Sequence, residues 1–492
     1  MNDSQRRHPE LVTQHAIGAL VGAAVGDALG APFEFLGPSR YSAAHPESRL
    51  GGIGEMTGGG SFGWHPGQFT DDTDMGVALA ESLAAHRGLA PDDLWKRWRA
   101  WASGARDVGM LTRSALDHAS HVGAAALAEQ VSGGRSGGNG SLMRNFPVPL
   151  ATMNASEESM VRLARAQSAL THHDPDAGTG CALHATFIRA AILGGDPLQA
   201  MHDAVRRLDD PARDRWSALL APTWEPSDAS LPNGTVWTCL AQAVWAFRGA
   251  RGFEHAVVRA IELGGDADTV GCVTGSLAGA FWGIQSIPSR WTTYLHGTLL
   301  TPDGPREYRN ADLQDLAVRL LGKSPKPPIY KDQPAGPTRV CDRSLVHAAD
   351  WDGARSAPAH WAVVSACRTG SDFYGHPVRR EVFLIDEYEE HGNHDALAAL
   401  VDAVDSIDAF LAEDPSRPVV VHCHGGRSRT ALILKAWAMR RYGLDEGAAH
   451  DWLTAKWSRA HRDNPVFLTI LREEWPRHLE RRIRAKGPIT DR

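Results

Sequence analysis

One cysteine and one arginine, six positions apart, stand in the stretch His422-Cys423-His424-Gly425-Gly426-Arg427-Ser428-Arg429-Thr430. The β-branched run Val419-Val420-Val421 precedes them, and Ala431-Leu432-Ile433-Leu434 follows with a helical character. A strand, a glycine turn and a helix start therefore surround the thiol. That layout aims backbone N–H groups and the positive end of a helix dipole at one point, which favours an anion. The same field favours thiolate over thiol at Cys423 and makes it a nucleophile. Arg429 offers a planar fork for two phosphate oxygens. The chemistry these residues suit is phosphate-ester hydrolysis through a cysteine.

Two acidic clusters pose a different problem. Phe69-Thr70-Asp71-Asp72-Thr73-Asp74 and Gly264-Gly265-Asp266-Ala267-Asp268-Thr269 crowd carboxylates that repel one another, so a folded site holding them needs cations or protons. Carboxylate and hydroxyl oxygens suit a hard ion, magnesium first and manganese second, rather than zinc. Brought together in space, the clusters could hold two such ions. Taken singly, each also reads as a helix start, because Thr and Asp accept hydrogen bonds from free N–H groups and apolar stretches follow both.

Both groups of residues carry a resemblance. The order His-Cys-x-x-Gly-x-x-Arg-Thr resembles the signature of the protein tyrosine and dual-specificity phosphatases. It implies Cys423 as nucleophile, Arg429 on the phosphate, Gly426 where the loop needs an unhindered backbone, and Thr430 assisting departure of the thiolate. It also implies an upstream aspartate as proton donor to the leaving oxygen. Asp386, ending Phe383-Leu384-Ile385, is the first choice for that donor and Asp395 the second.

The N-terminal part resembles the ADP-ribosylglycohydrolase family, on five segments in order. These are Gly18 to Glu34, Phe69 to Asp74, Gly138 to Arg144, Thr171-His172-His173-Asp174-Pro175 and Gly264 to Thr269. The resemblance implies Thr70, Asp71, Asp72, Asp266, Asp268 and Thr269 as ligands of two divalent ions, with Glu34 beside the scissile ribose carbon. Gly138, Asn139, Gly140 and Ser141 would lie along the ADP-ribose, where small residues permit close backbone approach, and His172 would line the pocket. Asp74 has no role in the resemblance and reads as a first-turn helix residue.

The elements that must position these groups divide the chain. The stretch Gly322-Lys323-Ser324-Pro325-Lys326-Pro327-Pro328 to Pro337 is proline-rich and extended. Before it, helix-length Ala- and Leu-rich stretches recur over 75–86, 111–130, 157–170, 177–193, 235–249 and 268–284. Residues 207–233 fit no element beyond a proline-punctuated connection. Trp95, Trp98 and Trp101 recur every third residue, as a buried stripe does. After the linker, strand-like runs at 360–365, 382–385 and 418–421 alternate with helical ones, 397–411 among them. The expectation is a multidomain chain: an all-α ADP-ribosylglycohydrolase-like bundle over 1–321, a linker over 322–337, and an α/β dual-specificity phosphatase-like domain over 338–492.

A formal net charge of −7 on 492 residues argues against general nucleic-acid or anionic-membrane binding. The six cysteines show no C-x-x-C pair, so neither a disulfide framework nor a zinc site is expected. Asp27 interrupts the nearest apolar run, no secretory leader is evident, and a cytoplasmic enzyme is the expectation. The expected function is bifunctional: cleavage of an ADP-ribosyl bond, on a protein or small molecule, and of a phosphate monoester. A phosphorylated ADP-ribose derivative would unite the two. The alternatives are a phosphoprotein phosphatase with an ADP-ribose-binding module, and a glycohydrolase with a phosphate-docking domain.

Overall fold

The computed structural model describes residues 7–325, 333–386, 392–461 and 464–486. Part of the proline-rich connector and the acidic run Glu387 to Glu390 lie outside these. The chain forms two units: Met1–Ser48, Glu55–Ile287 and Tyr294–Pro325 in the first, and Arg49–Gly54, Pro288–Thr293 and Lys326–Arg492 in the second.

The first unit is built on helix α1, Pro9–Gly30, which is buried from Gln14 to its end. Together with the turn that follows it, Pro9–Phe33 is long and apolar enough to cross a bilayer by length and composition, longer than any run expected from sequence. Its most apolar eighteen-residue stretch is nevertheless 94% buried within the protein, the position of a core helix. Its glycines explain how it is buried. Gly18, Gly22, Gly26 and Gly30 face Gly279, Gly275, Gly271 and Ala267 of helix α3, Ala267–Trp282, and a Cβ at any of the four would collide with a carbonyl of α3. The two helices therefore run antiparallel with their backbones in contact, the geometry that small residues every four positions allow. This seam brings the end of α1 against the start of α3.

Helix α2, Asp71–His86, packs on Pro91–Ala102 through the tryptophan stripe. Trp98 and Trp101 are buried, and their Nε1 atoms donate to Met75 O (3.2 Å) and Asp74 Oδ2 (3.0 Å). Asp-Pro pairs start other helices, with Asp174 capping Pro175–Leu193 and Asp196 capping Pro197–Arg206. The unplaced 207–233 segment contains a helix, Ala212–Leu219, and a short turn at Pro226–Asp228. One correction concerns fold class. The unit is helical but not all-α: strands β1, His296–Thr301, and β2, Gly304–Arg309, form an antiparallel hairpin around Pro302-Asp303.

The second unit holds a five-stranded mixed sheet. Strands β3 (Thr338–Arg339), β4 (Val346–Ala349), β5 (Ala362–Ser365), β6 (Arg379–Glu381) and β7 (Val419–His422) lie in the order β3-β4-β7-β5-β6. All neighbours are parallel except β3 with β4. The central β7 is buried on both faces, as parallel strands are. Val419 and Val421 face the core shared with helices α4, Ala396–Glu413, and α5, Ser428–Tyr442, while Val420 joins a smaller cluster with Phe373. The strand expected at 382–385 is displaced, since β6 ends at Glu381. Beyond it, Ile385 N and O bond to the Asn393 side chain (both 2.9 Å) and Leu384 O accepts from Arg429 Nη1 (3.1 Å), so side chains take the backbone groups a ladder would use.

Candidate functional site

In the helical unit the seam between α1 and α3 ends in acid. Asp27, near the end of α1, accepts from Thr70 N (3.0 Å), Thr73 N (3.0 Å) and Thr73 Oγ1 (2.5 Å). It therefore caps α2 from outside, and Thr70 makes no side-chain cap of its own. Thr70 Oγ1 donates instead to Asp72 Oδ2 (3.2 Å). At the start of α3, Thr269 N donates to Asp268 Oδ1 (2.9 Å), and Asn139 Nδ2 donates to Asp266 Oδ2 (2.7 Å).

Carboxylate oxygens of Asp27, Asp72 and Asp268 lie within 4.8 Å of one another, as do those of Glu34, Asp266 and Asp268. Asp268 is common to both triads. Asp71 belongs to neither triad, but its charge is felt by Asp72. Burial pushes Asp27 up to about 6 against hydrogen bonds from Thr73 and Thr70, while burial and then repulsion by neighbouring carboxylates push Glu34 to about 8 and Asp71, Asp72 and Asp268 well above the usual carboxylate range. Asp266 is raised by burial against hydrogen bonds from Asn139 and Thr269. Asp72 Oδ1 and Glu34 Oε2 are buried without a hydrogen-bond partner. Buried like charges with orphaned oxygens and no lysine or arginine paired to them, among the described residues, are a donor set that fits divalent cations.

Around this cluster, Gly138 and Gly140 pass His172, whose ring would lie 3.3–3.5 Å from a Cβ at either position. His172 is buried, and burial holds it neutral, lowered to about 3. Asn139 turns to Asp266, whereas the Ser141 hydroxyl is fully buried and bonded to Ser168 Oγ (2.7 Å), inside the core rather than along a cleft. Asp74 is tied to Trp101, apart from both triads. Sequence reasoning missed two acids. Asp27 is a charge inside an apolar helix, and that mismatch was the available signal. Asp107, on the loop before Met110–Leu116, repels Glu34 and Asp71, and nothing in the sequence marks it.

In the second unit, β7 delivers Cys423 and α5 begins five residues later at Ser428. Thr430 Oγ1 donates to Cys423 Sγ (3.2 Å). Gly426 has φ +64°, and a Cβ there would press on Ala349 O (2.8 Å) and the Trp457 ring (2.9 Å), so only glycine fits. Trp457 Nε1 donates to Gly426 O (2.7 Å) and fixes the turn. Arg429 is held by Ala366 O and Leu384 O (both 3.1 Å), and its Nε lies 3.8 Å from Asp386 Oδ2. Asn464 Nδ2 donates to the other oxygen of Asp386 (3.3 Å). Asp395 instead caps α4 through Ala398 N (2.9 Å). His422 is held neutral by burial, lowered to about 3, and bonds Ser365 Oγ (2.7 Å).

The ADP-ribosylglycohydrolase family model matches residues 8–328. The chain is 33% identical over 285 residues to the ADP-ribosyl-[dinitrogen reductase] glycohydrolase of Rhodospirillum rubrum, covering 58% of this chain and 91% of that protein. It is 32% identical over 292 residues to the ADP-ribosylarginine hydrolase Tri1 of Serratia proteamaculans, covering 57% and 75%. A solved ADP-ribosylglycohydrolase-related protein complex superimposes with a TM-score of 0.50 at 31% identity, over 64% of this chain and 99% of that one.

Proposed function

The chain belongs to the ADP-ribosylglycohydrolase family, and from that premise we propose that its helical unit hydrolyses the bond joining ADP-ribose to an arginine side chain of a protein. The carrying observation is the pair of carboxylate triads that share Asp268. The arginine acceptor is supported by the named substrate of the Tri1 relative. The family is metal-dependent, and Asp27, Asp72, Asp266, Asp268 and Glu34, with Thr70, Asp71 and Thr269 beside them, are the groups that would hold two divalent ions, magnesium or manganese. Bound there, such ions supply positive charge to polarise ribose hydroxyls and a water. The chain's own part is to bind, orient and move protons. Asp27 fixes the start of α2, so that Asp72 meets Asp268. His172, neutral, walls the glycine loop. Glu34 Oε2, without a partner, is the atom that passes a proton to the departing nitrogen as the glycosidic C–N bond breaks and water oxygen bonds the anomeric carbon, and the proton that water sheds returns to Glu34. Incubating an arginine-ADP-ribosylated protein with wild type and Asp268→Asn, with and without a chelator, tests this. Release of ADP-ribose that survives either treatment defeats it.

A second reading concerns the C-terminal unit, favoured by the Thr430–Cys423 hydrogen bond and the Arg429–Asp386 approach. There Cys423 Sγ attacks phosphorus, the P–O ester bond breaks, and Asp386 protonates the leaving oxygen. Water then splits the S–P bond, with Thr430 stabilising the thiolate. The two sites in one chain would act on a phosphorylated ADP-ribose derivative or conjugate. Phosphate release from such a compound, from phosphotyrosine peptide and from ADP-ribosylated protein, compared for wild type and Cys423→Ser, tests the assignment. The alternatives, an ADP-ribose-binding module or a phosphate-docking domain, predict loss of one activity in the wild type.

A further inference from the structure

Directly after Glu34, the chain holds an aromatic ring in a costly place. Phe35 has φ +65°, in the left-handed region that bulky residues avoid, and it is 65% exposed. Two backbone bonds pin it there: Phe35 N donates to Gly265 O (2.7 Å), and Gly265 N donates to Leu36 O (2.8 Å). The strained residue is thus locked to the backbone immediately before Asp266.

Its ring meets Phe62 at 6.3 Å between centroids, and Phe62 meets Trp64 at 5.9 Å. Both sit on a hairpin closed by Gly59 and Trp64, which exchange backbone bonds of 2.9 and 2.8 Å. Arg106 closes the far end, its guanidinium 5.6 Å from the Trp64 ring and bonded to Gly63 O (3.2 Å). The next residue is Asp107, and Met110, three positions on, is 91% exposed. Phe35 and Phe62, backed by the buried Trp64 and by Arg106, therefore form one continuous ledge beside Glu34 and Asp107, two acids close enough to repel each other. The glycine loop approaches the acid cluster elsewhere, through the Asn139–Asp266 bond.

Strain and solvent exposure together do nothing for folding, and such outliers persist where a ligand uses them. We infer that this ledge is the subsite for the polypeptide that carries the ADP-ribosylated side chain. The apolar stem of the modified residue and its neighbours lie on Phe35 and Phe62, and a cationic acceptor meets the carboxylates of Glu34 and Asp107 beside the ledge. The occupant is set by position and charge: the exposed ring of Phe35 follows directly on the residue assigned to the departing atom, Arg106 is engaged with Trp64 and Gly63 O, and the carboxylates of Glu34 and Asp107, which repel each other, suit a cationic acceptor. The inference rests on the glycohydrolase reading above and adds the residues that select a macromolecular acceptor.

The test compares an arginine-ADP-ribosylated protein with free ADP-ribosyl-arginine, measuring kcat/KM for each. Phe35→Gly is expected to lower the protein-to-free ratio about tenfold, mainly through KM for the protein, as loss of a buried aromatic contact does. Its Tm should hold or rise, because glycine accepts φ +65° without strain. Phe35→Trp should keep the ratio. Phe62→Ala reads the same ledge from the hairpin and serves should Phe35→Gly not fold. An unchanged ratio in Phe35→Gly, or in Phe62→Ala where that variant stands in, overturns the ledge while leaving the glycohydrolase intact. A wild type that cleaves neither compound overturns the glycohydrolase reading and the ledge with it.

Discussion

In the helical unit, buried carboxylates converge with no lysine or arginine paired to them among the described residues, whereas in the second unit a cysteine precedes a helix start that carries an arginine. The first arrangement repels itself and calls for positive ions. The second sets an arginine and a helix start around a turn, an arrangement that suits an anion. The difference also lies in how each is assembled. Asp27 and Asp268 are 241 positions apart and meet because α1 and α3 run antiparallel in backbone contact. Cys423 and Arg429 are neighbours on one turn. A site drawn from distant segments depends on the whole fold, while a site on one loop depends on a strand and a helix.

The sharpest way to break this comparison is to remove each charge system separately. Cys423→Ser should lower phosphate release about 10⁴-fold or more, as nucleophile removal does, and leave ADP-ribose release unaltered. A chelator should do the reverse. If one treatment silences both activities, the two sites are not independent. Next in size is Asp268→Asn, which touches both triads. ADP-ribose release should fall about 10³-fold, and calorimetry should show weakened binding of both ions; loss of only one would separate the triads.

Smaller effects discriminate within each site. Asp386→Asn should cost about 10²- to 10³-fold in phosphate release, the usual worth of a general acid, and remove the alkaline limb of the pH profile. Asp395→Ala should leave turnover alone and cost about 1 kcal/mol of stability, the usual worth of a helix cap. The reverse ranking would exchange the two aspartates.

Acidity itself discriminates without any substitution. Asp27, ordinarily near 3.8, is raised to about 6 when folded, so between those values the folded chain keeps a proton that the unfolded chain has lost. Metal-free protein should therefore lose stability as pH rises from about 4 to above 6, by about 1.4 kcal/mol for each unit of displacement. Saturating magnesium or manganese should flatten or invert the slope. A metal-free melting temperature that climbs across this range would contradict the burial of Asp27 as a raised acid.

The loop after β7 was legible as structure because its strand, turn and helix start are consecutive and each has a local cause. Gly426 announces a turn and Val419-Val420-Val421 a buried strand. The acid cluster was legible through a family resemblance, since pattern alone gives two helix starts and no reason for them to meet. Asp27 was read as an interruption of an apolar run, although a charge there demands partners. The hairpin of β1 and β2 escaped because Thr298-Leu299-Leu300-Thr301 is short, even though Pro302-Asp303-Gly304 marks a turn. The run at 382–385 has strand character, but Asn393 and Arg429 claim its backbone. Exposure of Phe35 could not be foreseen, because it follows from a backbone twist held by Gly265.

Where α1 meets α3, peptide lies on peptide for four successive contacts. Side chains can repack when a neighbour changes, but main-chain carbonyls have nowhere to go. Sliding one helix past the other by a single residue would trade each hydrogen for a collision, so the pair has one permitted alignment. The span between Asp27 and Asp268 is accordingly ruled by bond lengths rather than by rotamers. Substitutions on the outer helices should leave that gauge untouched, and a single methyl group on the seam should spoil it.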